Sequence, residues 1–177
     1  KEVVQHFYHK DTSVPIWAIF EVLTLGEFGN FYSCLSYGVR REVSIKLGFH
    51  QPSDSDAFLT KKIIFAIKEL RNAVAHNDVI FDTRFSRSSI DKSLSSSLEI
   101  VTGIKSITFK SITDYIILVV YLLKCFGVPK GDMRRFVAEF QDNIETLRKQ
   151  IPTSLFTRIV LTDTRPKLKS LQEYIRK

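Results

Sequence analysis

Apolar residues recur every three or four positions along most of this 177-residue chain, and strict apolar–polar alternation is scarce. The first pattern is typical of amphipathic helices and the second of strands, so the sequence predicts an all-α fold. The predicted helices run from about Pro15 to Gly26, Glu27 to Ser36, Val39 to Gly48, Ala57 to His76, Tyr115 to Phe126 and 132–151, with one or two short helices after Pro152.

Capping residues refine several of these boundaries. Thr12 or Ser13 is the predicted cap of the first helix, and Ser53 or Asp54 that of the helix after "QPSDSD". The stretch "SITD" at 111–114 has capping-box spacing ahead of an all-round apolar helix. Residues 86–97 contain seven serines and predict a mobile loop or a weakly held short helix.

No internal repeat or convincing linker divides the sequence, so we expect residues 1–177 to form one domain. The chain opens with Lys1, which leads us to expect that an N-terminal portion of the protein is missing. Its longest apolar run, "YIILVVYLL" at 115–123, is shorter than the roughly 20 residues that a membrane span requires. We therefore expect a buried helix and no membrane partner.

The net charge of +7 is unevenly distributed. From Lys130 to Lys177 there are 11 basic and 6 acidic side chains, which favours an anionic partner such as RNA, although a solvated basic surface explains the excess equally well. Cys34 and Cys125 lie far apart without a CxxC motif, which argues against a zinc site or a disulfide and fits a reducing cytosol.

The stretch "ELRNAVAHND" at 69–78 ends the predicted helix 57–76. At about 100° per residue, one face of this helix is apolar and the opposite face is polar. The apolar face carries Leu59, Ile63, Ile67, Leu70 and Val74, and the polar strip carries Lys61, Lys68, Asn72 and His76. Asn72 and His76 are four residues apart, close enough to touch.

Three residues of this stretch could form a catalytic cluster. His76 can accept and donate a proton near neutral pH, Arg71 offers a forked cation for phosphate oxygens, and Asn72 could orient either group. Metal-free RNA cleavage needs such a base, acid and cation. A histidine that merely complements the dipole of a helix end is the commoner reading of this spacing.

Three other candidates are weaker. Cys34 lacks a nucleophile motif and is expected to be a small core residue. His6 and His9 have no third ligand, so no metal or cofactor is predicted. Trp17 lies among phenylalanines and could stack on bases, but its helical spacing favours a core anchor. The amphipathic helix 132–151 is expected to pack inside the domain.

The stretch "LRNAVAHN" resembles the R-x4-6-H motif of the HEPN superfamily of small helical domains, many of which are ribonucleases. The stretch "PIWAIFEVLTLGEFGNFYSCL" resembles the Pro-Ile-Trp helix and glycine turn of bacterial abortive-infection proteins of the AbiD/AbiF type. The two resemblances occur in the expected order and cover about Val14 to Phe81. They imply an Abi-type phage-defence protein in the bacterial cytoplasm.

The resemblance also implies an activity. HEPN domains are helical bundles that usually dimerise and join two motifs at a shared cleft, where metal-independent cleavage leaves 2′,3′-cyclic phosphate and 5′-hydroxyl ends. By position, Arg71 would stabilise the phosphate, His76 would be the acid and base, and Asn72 would support them. Lys68, Lys61, Arg134 and Arg135 are our additional RNA-binding candidates, from charge and position alone.

Two functions follow from these observations. The leading interpretation is a homodimeric endoribonuclease, a toxin or defence effector that is either triggered by infection or restrained by a protein or RNA antitoxin. The alternative is a non-catalytic HEPN module that binds RNA or a partner protein and uses the basic C-terminal extension for contact.

Overall fold

The computed structural model of the protein describes residues 2–9, 13–52, 54–81, 83, 85–86 and 90–177. These residues form helices without strands, which confirms the all-α prediction. The helices are α1 (Glu2–His9), α2 (Ile16–Val22), α3 (Leu25–Cys34), α4 (Tyr37–Lys46), α5 (Leu59–Ala75), α6 (Lys92–Thr102), α7 (Ile112–Cys125), α8 (Lys130–Gln150), α9 (Thr153–Ile159) and α10 (Thr164–Arg176). In this described part, no helix has the length and apolar character that crossing a membrane requires.

Helix α7 lies at the centre of the core, as its all-round apolar sequence predicts. Tyr115, Ile117, Leu118 and Val120 are fully buried, and α5, α6, α8 and α10 all pack against this helix. Helix α8 buries Met133, Val137 and Ile144, so the packing predicted for the amphipathic segment 132–151 is confirmed.

A buried ion pair fixes α10 against the start of α7. Lys167 Nζ lies 2.7 Å from Asp114 Oδ1, and the two side chains are only 5% and 1% exposed. Asp114 Oδ2 also accepts hydrogen bonds from the backbone N–H groups of Thr108 and Phe109. The capping-box prediction for "SITD" is therefore wrong, because Asp114 bonds to the preceding loop and to α10, and Ser111 makes no side-chain capping bond.

A chain of buried hydroxyl groups joins α3, α4 and α5. Tyr32 Oη lies 2.9 Å from Ser44 Oγ, and Ser44 Oγ lies 2.7 Å from Thr60 Oγ1. Tyr32 Oη is also 2.9 Å from the carbonyl oxygen of Ala57, just before α5. Since buried hydroxyl groups are stable only when hydrogen-bonded, this chain specifies how the start of α5 meets the two preceding helices.

The predicted helix boundary at Gly26 is wrong. Helix α2 ends at Val22, and α3 begins at Leu25 and runs through Gly26. The reason is a capping box, in which Thr24 Oγ1 accepts a hydrogen bond from the Glu27 N–H and the Glu27 carboxylate accepts one from the Thr24 N–H.

The other predicted caps have mixed outcomes. Pro15 precedes α2 in place of Ser13, and Phe58 is the residue directly before α5 in place of Asp54. The Asp54 carboxylate nevertheless accepts hydrogen bonds from the N–H groups of Phe58 and Leu59. Thr12 and Ser53 lie outside the described residues. Residues 87–89 of the predicted serine-rich loop also lie outside them, and residues 92–97 of that segment belong to α6.

Two predicted core residues are exposed. Trp17 is 57% exposed and touches Phe7 edge-to-face at 5.8 Å between ring centroids, whereas Ala18 is the buried residue of α2. Cys34 is exposed at the end of α3. Helical spacing defines the faces of a short helix, but it does not determine which face meets a neighbour.

We expect the Asp114→Asn substitution to lower the free energy of unfolding by about 3–5 kcal/mol, because it removes the buried one of the two carboxylates that neutralise Lys167. Urea denaturation of the purified variant measures this loss. Asp163→Asn removes the more exposed carboxylate of the same lysine, 2.8 Å from Lys167 Nζ, and should cost clearly less. Equal losses from the two variants would contradict the assigned importance of Asp114.

Candidate active site

The end of α5 has the geometry that its sequence predicts. His76 is the residue directly after the helix, and Asn77 adopts a left-handed conformation with φ of 54°. The Asn77 N–H donates to the Val74 carbonyl, and the Asp78 N–H donates to the Ala73 carbonyl, at 3.3 and 2.9 Å. This pair of bonds is a Schellman motif, and it turns the chain back so that Asp78 follows His76 around the helix end.

A cleft of about 510 Å³ opens beside this helix end. It is lined by Lys68, Glu69, Asn72, Ala73, His76, Asp78, Val79 and Phe85. The structure thus brings together Lys68, Asn72 and His76, three of the four residues of the predicted polar strip. His76 is exposed and Asn72 is partly exposed, so both can meet a ligand that enters from solvent.

Arg71 occupies a different position. Its side chain is exposed, and it is not among the described residues that line the cleft. Arg71 and His76 diverge by about 140° around the helix, which explains the separation. Val74, three residues after Arg71, is 57% exposed and not part of the core, so its assignment to the apolar face is wrong. Leu59 and Ile63 are buried as predicted.

The outer wall of the cleft depends on α7. The Phe85 ring packs against the Tyr115 ring at 5.0 Å between centroids, and Tyr115 is fully buried in the core. Ser86 Oγ donates a hydrogen bond of 3.0 Å to Glu69 Oε2, which ties the same segment to α5. Burial raises the pKa of the Tyr115 phenol, which therefore stays neutral at physiological pH. Residues 82, 84 and 87–89 of this region lie outside the described part.

Helix α3 sets the position of α5 from the other side. A Cβ atom added to Gly29 would lie 2.6 Å from Phe65 Cε2, so the two helices approach closely because this position has no side chain. A Cβ atom added to Gly26 would meet only the flexible Lys68 side chain, at 3.3 Å from its Cδ. The Phe65 ring is therefore held against α3, on the strip that also carries Lys61 and Lys68.

The remaining RNA-binding candidates lie elsewhere. Lys61 lines a neighbouring depression of about 450 Å³ that shares Glu69 with the cleft. Arg134 and Arg135 are exposed on α8, which packs against α7, α9 and α10. Arg135 pairs with Asp132 at 3.5 Å, and neither arginine is among the residues lining the cleft.

Sequence reasoning missed Glu69, Asp78 and Phe85 as cleft residues. Glu69 and Asp78 lie at the two ends of the singled-out stretch, and the left-handed turn at Asn77 was the signal that Asp78 would fold back. The sequence around Phe85 does not predict its position in the cleft, because that position depends on contact with Tyr115, thirty residues later.

The cleft can hold a proton-transfer group beside a cation and an amide. His76 is positioned for general acid or base chemistry, Lys68 for contact with an anion, and Asn72 for hydrogen bonding. Among the described lining residues, the carboxylates of Glu69 and Asp78 offset the positive charge of Lys68. Within the described residues, no group of three or more His, Cys, Asp or Glu side chains is placed to hold a metal ion.

The N-terminal part of the chain is similar to a known protein family. Residues 1–82 match the family described as Abi-like protein. The match includes the R-x4-H motif at 71–76. No curated protein and no solved structure matches the chain.

We expect Gly29→Ala to lower the free energy of unfolding by about 1–3 kcal/mol, because the new methyl group collides with the ring of Phe65. Gly26→Ala, on the same helix, should change it by no more than about 0.5 kcal/mol, since the Lys68 stem can move. Chemical denaturation followed by circular dichroism compares the two variants. Equal stability of the two would show that α3 does not hold the ring in place.

Proposed function

We propose that this chain, Abi-like over residues 1–82, is a metal-independent endoribonuclease of phage defence whose active site is the cleft at the end of α5. The observation that carries the proposal is the shared location of Lys68, Asn72 and His76 in one solvent-open cleft, within a stretch that has R-x4-H spacing. A surface histidine that only complements the dipole of the helix end would not require a cleft beside it.

The proposed reaction is an internal transesterification. His76 removes the proton of a ribose 2′-hydroxyl, and the 2′ oxygen attacks the adjacent phosphorus. The bond from phosphorus to the 5′ oxygen breaks, and that oxygen takes up a proton. The products are a 2′,3′-cyclic phosphate and a 5′-hydroxyl end. Lys68 and Arg71 would stabilise the added negative charge at phosphorus, and Asn72 would orient the phosphate or the imidazole.

The separation of Arg71 from the cleft favours a site completed by a second copy of the chain. An exposed apolar residue, Val74, lies one turn from Arg71 on the outer side of α5. A homodimer that covers Val74 would bring Arg71 of one protomer toward the cleft of the other. Such a contact would also add a cation to a cleft in which Glu69 and Asp78 offset Lys68.

The non-catalytic alternative has less support, because much of the basic C-terminal extension is engaged within the chain. Lys167 is buried against Asp114, and Lys130 Nζ donates to the backbone carbonyl of Arg176. Arg165 and Arg148 both pair with Glu145. These contacts leave fewer free cations for an RNA partner than the charge count indicates.

Cleavage of a structured RNA in the presence of EDTA tests the proposed activity. His76→Ala should lower the cleavage rate by about 10²–10⁴-fold, as expected for loss of an acid–base group, and Arg71→Ala should also be strongly impaired. His9→Ala and Arg158→Ala remove exposed residues of the same types from α1 and α9 and should cleave normally. RNA binding without cleavage by the wild-type chain would favour the non-catalytic alternative.

Mixing the two inactive variants tests the shared site. If Arg71 and His76 act from different protomers, a mixed dimer of Arg71→Ala and His76→Ala contains one intact site, and roughly a quarter of the activity should return after subunit exchange. If both residues act within one chain, no mixed dimer has an intact site and mixing restores nothing. The rate of RNA cleavage after co-refolding distinguishes the two outcomes.

A further inference from the structure

A partly exposed strip of α5 continues from the cleft toward the start of the helix, over the neighbouring depression. Lys61, Phe65, Lys68, Asn72 and His76 follow one another at intervals of three or four residues, so they share a face. From Lys61 to His76 this face extends for about 22 Å at about 1.5 Å per residue. Glu69 lines both the depression and the cleft, so the two are neighbours along this face.

Phe65 lies between two lysines on this strip. Lys61 Nζ is 5.8 Å and Lys68 Nζ is 5.0 Å from the centroid of its ring. Among the described residues, neither ammonium group has a carboxylate partner within 4.0 Å. Lys62, by contrast, pairs with Asp91 at 3.3 Å and donates to Ser93 Oγ at 2.7 Å. The two lysines beside Phe65 are therefore free to bind an anion, and Lys62 is not.

The aromatic ring of this strip is fixed in place. Phe65 is half-buried, with its ring edge against Gly29 of α3 and its remaining surface toward the depression. Phe58, one turn before Lys61, is covered by the Arg40 guanidinium at 4.2 Å from the ring centroid. Phe65 is thus the better placed of the two rings to receive a planar group without displacing a structural contact.

The acidic side chains of the depression have partners of their own. Asp91 accepts a hydrogen bond from the Ser93 N–H besides pairing with Lys62, and Asp56 accepts one from the Phe58 N–H. Glu69 accepts the hydrogen bond from Ser86. Their negative charge restricts an incoming polyanion to the side of the depression that carries the two unpaired lysines.

We propose that Lys61, Phe65 and Lys68 form a subsite for single-stranded RNA that leads the strand into the cleft at His76. Lys61 and Lys68 bind successive phosphates, and a base stacks on Phe65. Stacking requires a base whose face is accessible, as in a single strand and not within a duplex. This inference rests on the proposed ribonuclease function and adds to it the strandedness of the substrate.

Equilibrium binding in the His76→Ala background, which prevents cleavage, tests the subsite. Fluorescence anisotropy with a labelled oligouridine of about ten nucleotides gives the Kd of each variant. Adding Phe65→Leu keeps an apolar group against α3 but removes the stacking surface, and we expect Kd to rise about tenfold. Adding Phe65→Tyr should keep Kd close to that of the background. Thermal unfolding verifies that each variant is folded.

The lysines are tested by the salt dependence of the same Kd. Adding Lys61→Ala or Lys68→Ala should each lower the slope of log Kd against log salt concentration by about 0.7, as expected for one lost contact to a single-strand phosphate. Lys169→Ala, which removes an exposed lysine from α10, should leave the slope unchanged. An RNA duplex of equal length should bind more weakly and respond little to Phe65→Leu.

Several results would overturn the subsite. They are an unchanged Kd for Phe65→Leu, equal binding of duplex and single strand, an equal effect of Lys169→Ala, or no binding of either RNA. The subsite and the proposed activity can also fail separately. Cleavage that requires His76 but is unaffected by Phe65→Leu would support the active site and contradict the subsite. Binding that depends on Phe65, without any cleavage by the wild-type chain, would support the subsite and contradict the proposed activity.

Discussion

The geometry of the cleft depends on the buried ion pair between Asp114 and Lys167. Burial alone lowers the pKa of Lys167, but hydrogen bonds to Asp114 and Asp163 outweigh this effect and raise it, so the lysine remains charged inside the protein. The pair fixes the start of α7, where Asp114 is followed by Tyr115. Because Tyr115 supports Phe85 on the outer wall of the cleft, a contact made by α10 stabilises a site whose motif lies within residues 1–82.

Periodicity alone predicted most of the fold, because a helix with one apolar face leaves a clear signal. It identified the course of α5, the buried α7 and the packed α8, and Asn77 correctly marked the end of α5. It was wrong for Trp17 and Val74, which are both more than half exposed. The capping role given to "SITD" was wrong because Asp114 is bound by Lys167, fifty-three residues away.

The candidate site was predictable to the extent that it is local. Asn72 and His76 lie one turn apart, and this spacing was sufficient to place them together. The spacing also indicated that Arg71 faces elsewhere. Phe85 and the Gly29–Phe65 contact could not be predicted, because each depends on a second element. Whether a lysine is available to a ligand depends on its neighbours as well. Lys61 and Lys62 are adjacent in sequence, but within the described part of the chain only Lys62 has a carboxylate partner.

The charges around the cleft favour both additions proposed for it, the subsite on α5 and the Arg71 side chain of a second protomer. Among the described residues, Lys68 is the one lysine that lines the cleft, and Glu69 and Asp78 face the same space, so these three side chains together attract a polyanion only weakly. Further positive charge would strengthen this attraction. The chain offers it in two places on α5, from Lys61 on the same face and from Arg71 on the outer face. An RNA strand that binds Lys61 of one protomer and Arg71 of the other would meet His76 between these two contacts.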